Sequence, residues 1–176
     1  NATAQWSEQE PGVVVFPSGA RIRGRPRSYY REGVELPDYI VMLAGFSPRT
    51  LPIAETHWIR WPDFWIPVNG TRTRCVLETA LKKARDSRVD ITCGGGIGRT
   101  GTALACIAVL DGIDSASAVA FIEKATIREQ WKLHGNAGTF HGLRPQLVSE
   151  GARKRSALLF GCLCCDMRAC LTIIAG

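Results

Sequence analysis

The sequence predicts an α/β fold: a single domain with a central, mostly parallel sheet flanked by helices. Three observations predict it. The apolar runs Tyr39–Ala44 and Val89–Cys93 have the length and composition of buried strands. Segments with apolar residues at helical spacing alternate with them, as in strand–helix–strand units. Between one such strand and one such helix lies Thr92-Cys93-Gly94-Gly95-Gly96-Ile97-Gly98-Arg99-Thr100-Gly101. In such folds the crevice outside the carboxyl ends of the strands is where ligands bind.

At 176 residues the chain is long enough for one domain with a sizeable core, so folding requires neither a disulfide framework nor a metal. An apolar content of 45% with 22% charged residues excludes disordered, fibrous and membrane-embedded classes. The organisation expected is a flexible arm over residues 1–12, a main domain over 13–130 and an atypical extension over 131–176, packed on the same domain. The net charge of +6 favours anionic partners by long-range attraction. Nucleic acid is not an expected partner. Arg21-Ile22-Arg23-Gly24-Arg25-Pro26-Arg27 is the one dense basic run, and no reader motif accompanies it. Its arginines read either as lining the entrance of a site or as a solvated loop. No secretory pattern opens the chain, and seven cysteines, an odd number, read most simply as reduced thiols, so a cytoplasmic protein is expected. The apolar run 157–165 is too short to span a bilayer.

The elements follow in order. Val13–Phe16 reads as a strand, Pro17-Ser18-Gly19 as a turn and Ala20–Arg23 as a hairpin partner. Arg25–Pro37 is punctuated by Pro and Gly and reads as loop, followed by the strand Tyr39–Ala44. A further loop contains Pro48 and Pro52, and the short strand His57–Trp61 stops at Pro62. A helix over about 72–86 is expected, capped by Asn69 or Thr71. The strand Arg88–Cys93 leads into helices at about 99–111 and 115–128, with Gly112 ending the first and Asp114 or Ser115 capping the second. Gly135, Gly138, Gly142 and Pro145 mark a loop-like stretch beyond.

The chemistry concentrates in the glycine-rich loop. Where a loop enters a helix, free backbone N–H groups and the helix dipole converge on one point and favour an anion. Gly94, Gly95, Gly96 and Gly98 allow those N–H groups, with that of Ile97, to approach a phosphate closely. Arg99 offers a planar fork to two phosphate oxygens. Cys93 stands at the start of the loop, where a helix N-terminus favours the nucleophilic thiolate, and the Thr100 hydroxyl is expected to donate to its sulfur. Upstream lies Trp61-Pro62-Asp63-Phe64. An aspartate on a loop after a strand suits a general acid that protonates a departing alkoxide or phenoxide. It also suits an ordinary turn, and Trp61, Phe64 and Trp65 read equally as core aromatics.

Taken together, these two motifs resemble the cysteine-dependent protein tyrosine phosphatase superfamily, including its dual-specificity branch. The family loop is His-Cys, five residues, Arg, then Ser or Thr, matched here by Cys93, Arg99 and Thr100; its acid loop is matched by Trp61-Pro62-Asp63. The resemblance spans roughly residues 13–128. It implies a phosphomonoester hydrolase working through a cysteinyl-phosphate, with Cys93 as nucleophile, Arg99 as phosphate clamp and Asp63 as general acid and then base. It implies a phosphorylated protein or small phosphate ester as partner, and no cofactor or metal. The absence of lysine from the loop is closer to members acting on proteins or small esters than to those acting on inositol phospholipids.

Three departures stand out. Thr92 replaces the usual His before the nucleophile, the family's glutamine that positions water has no clear counterpart (Gln130 and Gln146 match by position only), and the chain beyond about residue 130 is unlike a phosphatase end. A catalytically weak phosphate-binding module is therefore the principal rival, and a sulfur-transfer or arsenate-reducing enzyme is a third reading. A thiol-protease arrangement of Cys93 with His57, His134 or His141 leaves the glycines and Arg99 unexplained. Cys162, Cys164, Cys165 and Cys170 lack a common zinc spacing and any neighbouring His.

Overall fold

The computed structural model describes residues 5–30, 34–48 and 54–135, with backbone alone for 126–135. Five strands form one sheet: β1 (Val13–Val15), β2 (Arg21–Pro26), β3 (Tyr39–Ala44), β4 (Glu55–Arg60) and β5 (Val89–Cys93). Their spatial order is β1-β2-β5-β3-β4. β1 runs antiparallel to β2, and β2, β5, β3 and β4 are mutually parallel. The carboxyl ends of the four parallel strands, at Pro26, Cys93, Ala44 and Arg60, therefore lie along one edge of the sheet. Among the described residues three α-helices accompany the sheet: α1 (Gly70–Lys83), α2 (Gly98–Leu110) and α3 (Ser115–Gly135).

Side-chain alternation divides the sheet into two faces. Tyr39, Val41, Leu43, Val89, Ile91 and Cys93 join one cluster with Leu77 of α1, Leu104 and Ile107 of α2 and Ile122 of α3. The intervening residues Ile40, Met42, Asp90 and Thr92 are buried on the opposite face, as is Arg23 of β2. Central strands covered on both faces explain why β3 and β5 read as unbroken apolar runs. Asp90 and Thr92 are the exceptions within them.

Several expectations sharpen. α1 starts at Gly70, because the Asn69 side chain accepts from the Arg72 N–H at 2.9 Å; Asn69 and not Thr71 is the cap. Asp114 and not Ser115 caps α3, through the Ala116 N–H at 3.0 Å. Gly112 ends α2 with φ +98°, a conformation that favours glycine. β2 runs on to Pro26, where a loop was expected from Arg25, because it pairs with β5 as far as Cys93 as well as with β1. α3 continues to Gly135, past the expected end near residue 128.

The N-terminal arm is anchored from Gln5 onward. Trp6 is buried and its indole N–H donates to the Val89 carbonyl at 3.2 Å, while the Gln5 amide donates to the Ala84 carbonyl at 2.8 Å. The indole covers the polar face of the sheet, which composition alone did not reveal. Among the described residues no helix is long and apolar enough to cross a membrane. Of the expected extension 131–176, residues 136–176, with Cys162, Cys164, Cys165, Cys170, His141 and Gln146, lie outside the described residues, as do the side chains of Gln130 and His134.

Candidate active site

Cys93 is the last residue of the central strand β5, and α2 begins five residues later. The intervening turn carries the chain directly from the sheet edge to the helix N-terminus. Its cap, Ile97, makes no side-chain capping bond, and the first intrahelical bond runs from the Gly101 N–H to the Ile97 carbonyl. The N–H groups of Gly98, Arg99 and Thr100 thus precede any intrahelical partner, as an anion site requires. The Gly96 N–H donates to Cys93 Sγ at 3.2 Å, which curls the loop around the sulfur.

The glycines are not equivalent. Gly96 has φ +70°, and a Cβ there would lie 2.4 Å from the Pro26 nitrogen at the end of β2. Glycine is required at that position by both conformation and space. A Cβ on Gly94 would make ordinary contact with Arg99 at 3.6 Å, and one on Gly95 would meet nothing within 4 Å.

Arg99 reaches back over the loop. Its Nη1 donates to the Trp61 carbonyl at 3.0 Å, and its Nη2 lies 3.4 Å from Asp63 Oδ1. Asp63 is largely exposed, at 66%, whereas Arg99 is 15% exposed. Trp61 fixes the base of the acid loop: it is buried, its backbone N–H donates to the Ala44 carbonyl at 2.9 Å, and its indole N–H donates to the Trp65 carbonyl at 2.7 Å. Of the three tryptophan-loop aromatics, Trp61 alone is core; Phe64 and Trp65 are exposed. Phe64 adopts φ 56°, a rare conformation for a non-glycine residue, at the turn just after Asp63.

A cavity of about 630 Å³ opens beside the loop, lined by Gly94 and Arg99 together with Tyr30, Met42, Leu43 and Phe46 among others. Of the basic run, Arg27 alone lines it. The other arginines are structural: Arg21 pairs with Glu8 at 2.6 Å, Arg23 is wholly buried against Asp90 at 2.9 Å, and Arg25 stacks on the Tyr29 ring at 4.2 Å. Neither an entrance lined by four arginines nor a wholly solvated loop describes this run, because Arg21, Arg23 and Arg25 share one face of β2 and Arg23 there meets its register partner Asp90.

One hydroxyl differs from expectation, and a second is buried like it. Thr100 is buried and its Oγ1 makes no hydrogen bond among the described residues, so the expected donation to the Cys93 sulfur is not made. Its methyl instead packs toward Gly24 of β2, where an added Cβ would lie 3.1 Å from Thr100 Cγ2. Thr92, on the opposite face of β5, is likewise buried with an unpartnered Oγ1. His57 pairs with Glu55 at 3.1 Å and stacks on Tyr39 at 4.9 Å, a role within the strand pair β3–β4 that leaves no histidine on Cys93 among the described side chains.

The site also contains residues that motif reading did not select. Tyr30 lines the cavity and its hydroxyl donates to Asp90 Oδ2 at 2.7 Å. Burial pushes the Tyr30 hydroxyl well above the usual phenol range, and the neighbouring Asp90 charge adds to this, so it stays a donor. Burial also pushes the Asp90 carboxyl up, against the hydrogen bonds from Arg23 and Tyr30. The available signal was Asp90 itself: a carboxylate inside a buried strand needs a buried cation.

Residues 59–152 match a family model described as PTP-SAK: Swiss Army Knife protein, DSP-PTPase phosphatase domain. Among solved structures, the chain is similar to the one titled "Crystal structure of Tk-PTP in the active form", at 18% identity and a TM-score of 0.46, over 71% of this chain and 95% of that one. No curated protein matches the chain. The family match spans more than half of the chain and takes in both the acid loop and the cysteine loop. On that match, the chain belongs to the PTP-SAK family of DSP-PTPase phosphatase domains.

Proposed function

We propose that this domain hydrolyses phosphate monoesters of phosphorylated protein or small-ester substrates, phosphotyrosine and dual-specificity types included, through a cysteinyl-phosphate. What supports the reading is the contact of Arg99, six residues after Cys93, with the segment that carries Asp63. Cys93 and Asp63 come from two segments 30 residues apart, and Arg99 bridges them at 3.0 Å from the Trp61 carbonyl and 3.4 Å from Asp63. Phosphate binding alone calls for neither a thiol nor an acid. In the first step the Cys93 thiolate attacks phosphorus, an S–P bond forms, the ester P–O bond breaks, and Asp63 gives its proton to the departing oxygen. In the second step water attacks phosphorus and yields a proton to the Asp63 carboxylate; the S–P bond breaks, releasing orthophosphate and restoring the thiolate. Arg99 and the N–H groups of the loop offset the charge that builds on the equatorial oxygens. The loop's glycines and Ile97 supply those N–H groups.

The test is hydrolysis of an aryl phosphate in reducing buffer by the wild type, Cys93→Ser and Asp63→Ala. The expected result is no detectable turnover for Cys93→Ser and a fall of about 10²–10⁴-fold for Asp63→Ala, the usual contribution of a general acid. Full activity in Cys93→Ser would remove the mechanism. A second reading, a phosphate-binding module without turnover, is favoured by the unpartnered hydroxyls of Thr92 and Thr100, which leave the Gly96 N–H as the sulfur's hydrogen-bond donor. Oxyanion binding by a wild type that hydrolyses nothing would select it.

A further inference from the structure

Six large apolar side chains are exposed among the described residues, and five of them stand at the carboxyl edge of the sheet. Phe46 follows β3, Phe64, Trp65 and Val68 lie between β4 and α1, and Ile97 lies in the cysteine loop. Their exposures run from 55% at Ile97 to 89% at Phe46. The loops that carry them touch one another. The Trp61 N–H donates to the Ala44 carbonyl at 2.9 Å, and a Cβ on Gly45 would lie 3.4 Å from Pro62 Cα. Arg99 donates to the Trp61 carbonyl at 3.0 Å, which ties the cysteine loop to the same group. The Val68 N–H donates to the Arg60 carbonyl at 3.0 Å and closes residues 60–68 into one loop. At the turn of that loop Phe64 has φ 56°, so a costly backbone conformation holds an aromatic ring that is 80% exposed.

Charge at this edge is lopsided. The stretches 26–28, 44–48, 60–72 and 93–99 carry exposed Arg27, Arg60 and Arg72 as well as Arg99, and Asp63 is their one carboxylate. Asp38, Glu55, Asp86 and Asp111 lie at the other edge, by the starts of β3 and β4 and just after the ends of α1 and α2. An apolar patch of this kind marks an interaction surface. Aromatic and aliphatic loop tips interspersed with arginines suit the boundary of an anionic bilayer. Rings enter between headgroups and acyl chains, and guanidinium groups stay with the lipid phosphates. We infer that the carboxyl edge of the sheet docks on an anionic lipid surface through Phe46, Phe64, Trp65, Val68 and Ile97, with Arg27, Arg60 and Arg72 meeting the headgroups. The cavity beside Gly94 and Arg99 lies at the same edge, so docking turns the candidate site toward the bilayer. The inference stands independently of the hydrolase reading above, to which it adds a place of action.

The test is co-sedimentation of the chain with vesicles of phosphatidylcholine, alone or mixed with phosphatidylserine. Stronger binding to the mixed vesicles is expected, and salt should weaken it. Phe64→Ser and Trp65→Ser should each lower the partition coefficient about tenfold, the contribution of one ring moved from water into the boundary. Arg60→Gln and Arg72→Gln should each lower it about fivefold. All four side chains are exposed, so unfolding midpoints should stay close to that of the wild type. Lipids brominated in the acyl chain should quench the tryptophan emission of the bound wild type. Trp65→Phe keeps a ring and should bind with most of that quenching lost. A wild type that binds the mixed vesicles and hydrolyses nothing would remove the hydrolase and keep the docking face. No binding to the mixed vesicles, or equal binding by the wild type and the Phe64 and Trp65 variants, would overturn the inference. A dimer in solution that Phe64→Ser splits would give the face to a second copy and overturn it too. So would absent vesicle binding with a KM for a phosphoprotein raised by the same substitutions, which would give the face to a protein partner.

Discussion

Asp90 lies in the middle of a central strand with no exposure, and so does its partner Arg23. Removing either partner strands a charge away from water. Asp90→Ala is expected to cost about 3–5 kcal/mol, measured by urea unfolding, well above the effect of an ordinary surface change. Replacing both residues with apolar side chains of similar volume should restore most of that loss, because much of the cost comes from the unpaired charge. Arg99 is the second residue with a sharp expectation. Its guanidinium holds the Trp61 carbonyl with one amino group and meets Asp63 with the other, and a lysine cannot do both. Arg99→Lys should lower kcat/KM for an aryl phosphate by about 10²-fold or more with little change in unfolding midpoint.

The cysteine loop is an element whose residues are unequally constrained. Gly96→Ala forces a side chain into a positive-φ position and onto Pro26 of β2. The Gly96 N–H that bonds the Cys93 sulfur would shift, and a fall of about tenfold or more in kcat/KM is expected together with about 1–3 kcal/mol of lost stability. Gly95→Ala, with open space around it, should change neither by more than about twofold in rate or about 1 kcal/mol in stability. A second element-level tie joins the starts of β3 and β5. Asp38 accepts from the Arg88 backbone N–H at 2.9 Å and meets its side chain at 3.4 Å. Although partial burial opposes it, these bonds hold the Asp38 carboxyl below the usual aspartate range. A depressed carboxyl stabilises the fold above its unfolded pKa and loses that contribution as pH falls through the folded value. The stability difference between wild type and Asp38→Asn should therefore be present at neutral pH and vanish in acid, as unfolding midpoints across pH would show.

Across the whole molecule, the sheet and its helices were legible because β3 carries an unbroken apolar run, β5 a largely apolar one and α1 an apolar stripe at helical spacing. The placement of the candidate site at the carboxyl edge of the sheet was legible, since Cys93 closes a strand and Arg99 lies in the first turn of a helix. The opposite face was not. Arg21, Arg23, Arg25 and Arg27 look alike in a sequence, and only the pairing of β2 with β5 buries one and leaves another at the cavity. Tyr30 was invisible for the same reason: its role depends on a strand partner 60 residues away. The Thr100 hydroxyl shows the converse, a motif position whose rotamer is set by packing against Gly24. The proposed mechanism turns on a covalent bond between phosphorus and one sulfur. Intact-mass and peptide analysis of Asp63→Ala, acid-quenched during turnover of an aryl phosphate, tests it directly. The predicted result is one added phosphoryl group on Cys93, absent from Cys93→Ser. Continued turnover with no phosphoryl group on Cys93, or with one on another residue, would contradict it.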